Sequence, residues 1–179
     1  RFLFDNESTW LQMLQGEQFV PRLFKTVRTD TQTFLIMDYI PAPSIADADW
    51  VETAELNQYI VDIIDQLNYA LTIFEKHSAT HKDLRPQNII ITRDTGRVYI
   101  VDYQFCSSDQ HSILTKNADQ KAFLEKALQS VGGEYRKFAE NTFNPETDKF
   151  AIRKILNELT PAIRATIATP DTKESANTS

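Results

Sequence analysis

Eight consecutive residues, His81-Lys82-Asp83-Leu84-Arg85-Pro86-Gln87-Asn88, gather a carboxylate, two cations and two amides into one short stretch. Farther on, Val101-Asp102-Tyr103 sets a second carboxylate at the end of an apolar run. These side chains suit the movement of a phosphoryl group, which asks a protein mainly for positioning and charge compensation. A carboxylate beside an acceptor hydroxyl orients it and takes its proton. A second carboxylate and an amide oxygen are hard donors of the kind Mg²⁺ prefers. A nearby cation offsets charge on the group in transfer. Asp83, Asp102, Asn88 and Arg85 supply these four roles in turn.

Composition removes several other chemistries. Cys106 is the only cysteine, which excludes an intrachain disulfide and a cysteine-rich zinc site. The histidines, His77, His81 and His111, are too scattered to suggest a histidine metal site. A net charge of -6 argues against a non-specific nucleic-acid coat. The apolar runs are far too short for an integral membrane segment. With 179 residues, 41% of them hydrophobic, the chain can bury a core in one ordinary domain with a small second lobe. Only four glycines occur, Gly16, Gly96, Gly132 and Gly133, so no glycine-rich phosphate loop can be built. The chain opens at Arg1 without a leader pattern and reads as a piece of a longer polypeptide.

The elements that must position the four residues follow from pattern. A short helix is expected over Asp5 to Leu14, capped by Asn6 or Asp5, with Trp10, Leu11 and Leu14 on one face. Arg22 to Arg28 and Thr33 to Asp38 read as strands joined by a Thr29–Gln32 turn. Pro41-Ala42-Pro43 makes a stiff connection. From Ala54 to Glu75, apolar residues recur at helical spacing and predict a long helix. Asn88 to Thr92 and Val98 to Val101 form a second hairpin around Arg93-Asp94-Thr95-Gly96. Helices are expected over Asn117–Val131, Tyr135–Asn141 and Thr147–Leu159, with Pro161 opening or interrupting the last helical stretch. Thr169 to Ser179 is polar and reads as a disordered tail.

The octet and its setting resemble the protein kinase superfamily. His81 to Asn88 is similar to the catalytic-loop pattern H-x-D-L-x-P-x-N, and Asp102-Tyr103-Gln104 stands where the family has D-F-G. Phe34 to Ile40 resembles the family's fifth strand running into its hinge. The resemblance implies an α+β, protein kinase-like fold with a mostly helical C-lobe and a partial, β-rich N-lobe. Residues 1–40 would be the partial N-lobe, 41–168 the C-lobe and 169–179 the tail. It implies Asp83 as catalytic base, and Asn88 and Asp102 as metal ligands. Arg85 takes the place of a lysine beside the transferring phosphate. Met37 is implied as gatekeeper, Asp38 and Ile40 as hinge positions bonding adenine, and Ile90 as the floor under the ring. Glu7 would pair with a phosphate-binding lysine. The implied cofactors are ATP and Mg²⁺, and the implied partner is a hydroxyl-bearing protein or sugar.

The departures carry information. The D-F-G glycine is Gln104, no A-P-E segment follows, and neither the glycine-rich loop nor the V-A-I-K lysine is present. The short run from Asp102 to the Asn117 helix resembles small atypical kinases such as the Rio and lipopolysaccharide-sugar kinases, with Asp119 placed to cap that helix and brace the loop. The expectation is an ATP-dependent phosphotransferase of which this chain is part, with a protein Ser/Thr acceptor favoured and a glycolipid sugar second. A pseudokinase scaffold and a small-molecule kinase of the aminoglycoside or choline type remain open. The single thiol and an ATP requirement favour a cytoplasmic setting.

Overall fold

The computed structural model describes residues 2–47, 54–109 and 145–167. The expected helices over Asn117–Val131 and Tyr135–Asn141, Asp119 and the 169–179 tail lie outside the described residues. Helix α1 spans Phe2–Met13. It begins before Asp5, so neither Asp5 nor Asn6 caps it; both sit within the helix and turn their side chains to other elements. Trp10, Leu11 and Leu14 are buried, as their shared face requires.

Strands β1 (Leu23–Arg28) and β2 (Thr33–Met37) form an antiparallel hairpin. Its turn closes where Thr29 N–H meets the Gln32 carbonyl at 2.8 Å. A bulge between Leu23 and Lys25 shifts the register near the Met37 end of the hairpin.

Helix α2 spans Ala54–Lys76. Ile63, Leu67, Ala70 and Phe74 make its buried stripe, spaced by three and four. The chain then reverses through Ser78, at φ 48, into β3 (Ala79–Thr80). The β4 (Ile89–Ile91) and β5 (Val98–Ile100) hairpin follows, with Ile89, Ile91, Val98 and Ile100 all buried. β6 (Ser107–Ser108) pairs antiparallel with β3, a contact too short to leave a sequence pattern. Helix α3 spans Pro145–Ile167 as one element. Pro145 suits a first turn, where its missing N–H is not needed. Pro161 neither opens nor interrupts the helix; it only deprives the Asn157 carbonyl of its usual donor. Ile152 and Ile155 carry α3 into the core.

The β4–β5 turn rests on α2. Tyr59 Oη donates to the Asp94 carbonyl at 2.8 Å, and Gln66 Nε2 donates to the Gly96 carbonyl at 3.0 Å. Gly96 has φ +63, and a Cβ there would sit 2.5 Å from the Tyr59 Cβ. Gly96→Ala is therefore expected to cost at least about 2 kcal/mol, from left-handed strain and displacement of Tyr59. A urea midpoint that stays at the wild-type value would count against this close approach.

Candidate active site

The loop between β3 and β4 is held from beneath by Asp148 in the first turn of α3. Its carboxylate accepts the His81 N–H at 2.6 Å and the Lys82 N–H at 3.1 Å. Lys82 has φ 68, a left-handed backbone that a side-chain-bearing residue adopts only when its surroundings impose it. Burial pushes the Asp148 carboxyl up to about 7, against the two N–H bonds and the nearby Lys82 that favour its charge. Burial also pulls Lys82 down to about 8.

His81 is fully buried, edge-on to Tyr103 at 5.0 Å and to Phe74 at 5.9 Å. Its Nδ1 accepts the Asp83 N–H at 3.3 Å, which leaves the ring proton on Nε2. Burial drives its pKa down to about 3, so the ring is neutral. The loop is thus pinned at three successive backbone N–H groups, those of His81, Lys82 and Asp83.

Asp83 is only 4% exposed. Asn88 closes the loop onto it, its Nδ2 donating to the Asp83 carbonyl and to Asp83 Oδ2, both at 2.9 Å. Pro86–Asn88 forms one 3-10 turn that brings Asn88 back to this position. Arg85 Nε lies 3.5 Å from Asp83 Oδ1. The Arg85 charge also acts on Asp102, so this guanidinium serves both carboxylates. Burial raises Asp83 to about 6; Arg85 opposes the shift, the Asp102 charge adds to it, and Asn88 opposes it again.

Asp102 reaches the cluster because Val101 N–H bonds the Asn88 carbonyl at 3.0 Å and joins the end of β5 to the loop. Asp102 has φ 67 and ψ 63, and Tyr103–Phe105 follows as a second 3-10 turn. Burial raises the Asp102 pKa, opposed by Arg85 and by the Gln104 N–H. Cys106, just beyond, is wholly buried, and its thiol is pushed well above its ordinary value by burial and by Asp148.

Of the residues singled out by sequence, Asp83, Arg85, Asn88 and Asp102 thus share one cluster. Glu7 borders it from α1. Burial raises its carboxyl to about 7, the Asp102 charge adds to the shift, and the Tyr103 N–H opposes it. Glu7 and Met37 line one cavity of about 540 Å³ with Phe4, Thr33, Phe34 and Leu35. Past Met37, Asp38 N–H donates to the Arg22 carbonyl at 2.9 Å, and the Ile40 carbonyl accepts the Ala42 N–H at 2.8 Å. The chain then crosses β4, where Ile45 N–H meets the Ile89 carbonyl at 2.8 Å and Ser44 bridges Ile90. Ile90 is half-buried there.

No cluster of three or more histidine, cysteine, aspartate or glutamate side chains suited to a metal occurs among the described residues. The donor set nevertheless fits Mg²⁺, which is commonly held by one or two carboxylates plus substrate phosphates. With its amide nitrogen committed to Asp83, Asn88 offers its Oδ1 alongside the Asp102 carboxylate.

Two contributors escaped sequence reading. Asp148 looks like an acid in a helix first turn, where it would merely complement the dipole. Asn6 looks like a cap, yet its Nδ2 donates to the carbonyls of Gln104 and Cys106, both at 2.9 Å. The brace expected from Asp119 lies outside the described residues; the brace observed comes from Asp148.

Comparison with known proteins places these features in a family. The protein kinase domain family matches residues 3–125. Serine/threonine-protein kinase 1 of Orgyia pseudotsugata multicapsid polyhedrosis virus is 30% identical over 82 residues, covering 44% of this chain and 29% of the relative. Serine/threonine-protein kinase 1 of Lymantria dispar multicapsid nuclear polyhedrosis virus is 29% identical over 94 residues, 52% of this chain and 34% of the relative. Serine/threonine-protein kinase B of Synechocystis sp. is 21% identical over 127 residues, 68% of this chain and 21% of the relative. The chain therefore spans about a third or less of the length of these relatives. No described helix is long and apolar enough to cross a membrane. The match over residues 3–125, with the braced acidic loop at its centre, means that the chain belongs to the protein kinase domain family.

Proposed function

We propose that this chain carries the catalytic loop of an ATP-dependent protein kinase that transfers the terminal phosphate of Mg-ATP to a hydroxyl, with a serine or threonine of a protein as acceptor. The carrying observation is the Asp83 carboxylate, held by Asn88 at 2.9 Å and faced by Arg85 at 3.5 Å. In this reading Asp83 orients the acceptor hydroxyl and takes its proton. Arg85 offsets charge on the phosphoryl group in transfer. Asn88 Oδ1 and the Asp102 carboxylate would hold Mg²⁺, which neutralises phosphate charge when bound. The Asp38 carbonyl and Ile40 N–H are the acceptor and donor left over by the hinge bonds, a pair suited to an adenine edge. Met37 and Ile90 would border the base, and Glu7 would anchor a lysine beside the phosphates. The serine/threonine preference rests on the names of the relatives, each a serine/threonine-protein kinase.

The test is transfer from labelled ATP by the full-length polypeptide to serine, threonine and tyrosine peptides, and to sugars. Transfer to sugars alone would overturn the protein acceptor; nucleotide binding without transfer would favour a scaffold. The pH profile gives a second check. Asp83 acts as a base only when ionised, and its pKa is raised to about 6. Turnover should therefore fall by about tenfold per pH unit below that value. A bound cation would move this limb to lower pH. Arg85→Gln removes a charge that favours ionised Asp83, so it should move the limb to higher pH. A limb indifferent to Arg85→Gln would argue that another group is titrating.

A further inference from the structure

Helix α1 is stitched to the molecule along two flanks. On one, Asp5 Oδ1 accepts from Arg28 Nε at 2.7 Å and from Thr33 Oγ1 at 3.4 Å, and the Ser8 and Thr26 hydroxyls meet at 2.6 Å. These bonds tie α1 to the β1–β2 hairpin. On the other flank, the single Asn6 Nδ2 spans two backbone carbonyls, those of Gln104 and Cys106, each at 2.9 Å, beside Glu7, whose carboxylate meets the Tyr103 N–H. Both carbonyls belong to the turn that begins at Asp102, a non-glycine residue at φ 67. Such a backbone carries a cost on the order of 1 kcal/mol and persists where neighbours over-determine it. The turn's own bond, Cys106 N–H to the Tyr103 carbonyl at 3.0 Å, also restrains that segment, as do the Tyr103 N–H on the Glu7 carboxylate and the Gln104 N–H on the Asp102 carboxylate. A side chain that must satisfy two acceptors from one nitrogen needs two N–H groups, which an amide has and a carboxylate lacks.

We propose that Asn6 is a positioning residue for Asp102: its amide clamps the Gln104 and Cys106 carbonyls and so fixes where the Asp102 carboxylate is aimed. The proposal rests on the reading of Asp102 as a metal ligand. Asn6→Asp is nearly isosteric, yet it turns an acceptor toward two acceptors. Asn6→Ala leaves both carbonyls short of a donor. Neither change touches Asp83, Asn88 or the nucleotide hinge.

The test uses the full-length polypeptide with Mn²⁺ and a non-hydrolysable ATP analogue, reading free Mn²⁺ by electron paramagnetic resonance. Amide exchange at Cys106 is measured in parallel. Asn6→Asp and Asn6→Ala are expected to weaken Mn²⁺ binding by about tenfold, the loss of one or two neutral hydrogen bonds, and to speed Cys106 exchange by at least about as much. Asp102→Ala should abolish the metal-dependent part of binding. Ser8→Ala loosens α1 on the opposite flank and should leave Mn²⁺ affinity unchanged. Asn6→Ser replaces Asn6→Ala if the latter does not fold. Wild-type Mn²⁺ affinity in the Asn6 variants, with Asp102→Ala defective, overturns the positioning role and leaves the site reading standing. An equal loss in Ser8→Ala also overturns it, because any loosening of α1 would then suffice. If Asp102→Ala binds Mn²⁺ as wild type does, the metal assignment fails and takes the proposal with it.

Discussion

Asp83→Ala in the full-length polypeptide is expected to lower turnover by about 10²- to 10⁴-fold, the range for removing a positioned general base. The fold should survive. Asp83 is a buried carboxylate whose ionised form is disfavoured by desolvation, so its removal relieves one cost while depriving Asn88 of an acceptor. These effects oppose each other, and the thermal midpoint should move little. The Michaelis constant for ATP should also change little, because the proposed role of Asp83 concerns the acceptor hydroxyl. The measurement is single-turnover transfer from labelled ATP beside a thermal melt. Near-normal turnover would show that the proton leaves by another route and that Asp83 is not the base.

The second large effect lies outside the loop. Asp148→Ala strands the His81 and Lys82 N–H groups in a buried site, with Lys82 still in a left-handed backbone. Hydrogen bonds to a charged partner contribute about 1.5–3 kcal/mol each, so a loss of about 3–6 kcal/mol is expected for the two. Activity should fall with it, since the residue after Lys82 is Asp83. Asp148→Asn keeps an acceptor oxygen and should lose less. pH separates charge from geometry. The folded pKa of Asp148, about 7, lies above its ordinary value of 3.8. The folded state therefore binds the proton more tightly than the unfolded chain. The associated stability is fully present below about pH 4 and is lost as pH rises through about 7. Asp148→Asn lacks that dependence, so the difference in unfolding free energy between wild type and Asp148→Asn should change across this window. A pH-independent difference would mean that Asp148 does not titrate there.

What sequence disclosed and what it hid divide along chain distance. Asp83, Arg85 and Asn88 lie within one octet, so their chemistry can be read without knowing how distant segments pack. Ile63, Leu67, Ala70 and Phe74 announce α2 because a helix writes its buried face into its own spacing. Asp148 and Asn6 are different. Their partners are 67 and about 100 residues away, and a lone acid or amide in a helix carries no sign of such a bond. The start of α1 is hidden in the same way: Asn6 has cap chemistry, but it lies inside the helix and its amide is recruited by Gln104 and Cys106. The β3–β6 pair has two residues per strand, too few for alternation to register. Pro161 reads as a breaker, yet α3 runs through it.

The burial of Cys106 turns the chain's only thiol into a built-in clock. A thiol shielded from solvent and held well above its ordinary pKa reacts with an alkylating or disulfide reagent only during moments of local opening. Because its carbonyl is held by Asn6 and its N–H by Tyr103, those moments coincide with release of the turn behind Asp102. No label need be engineered. The rate at which Cys106 itself takes up a thiol reagent reports how often that turn lets go.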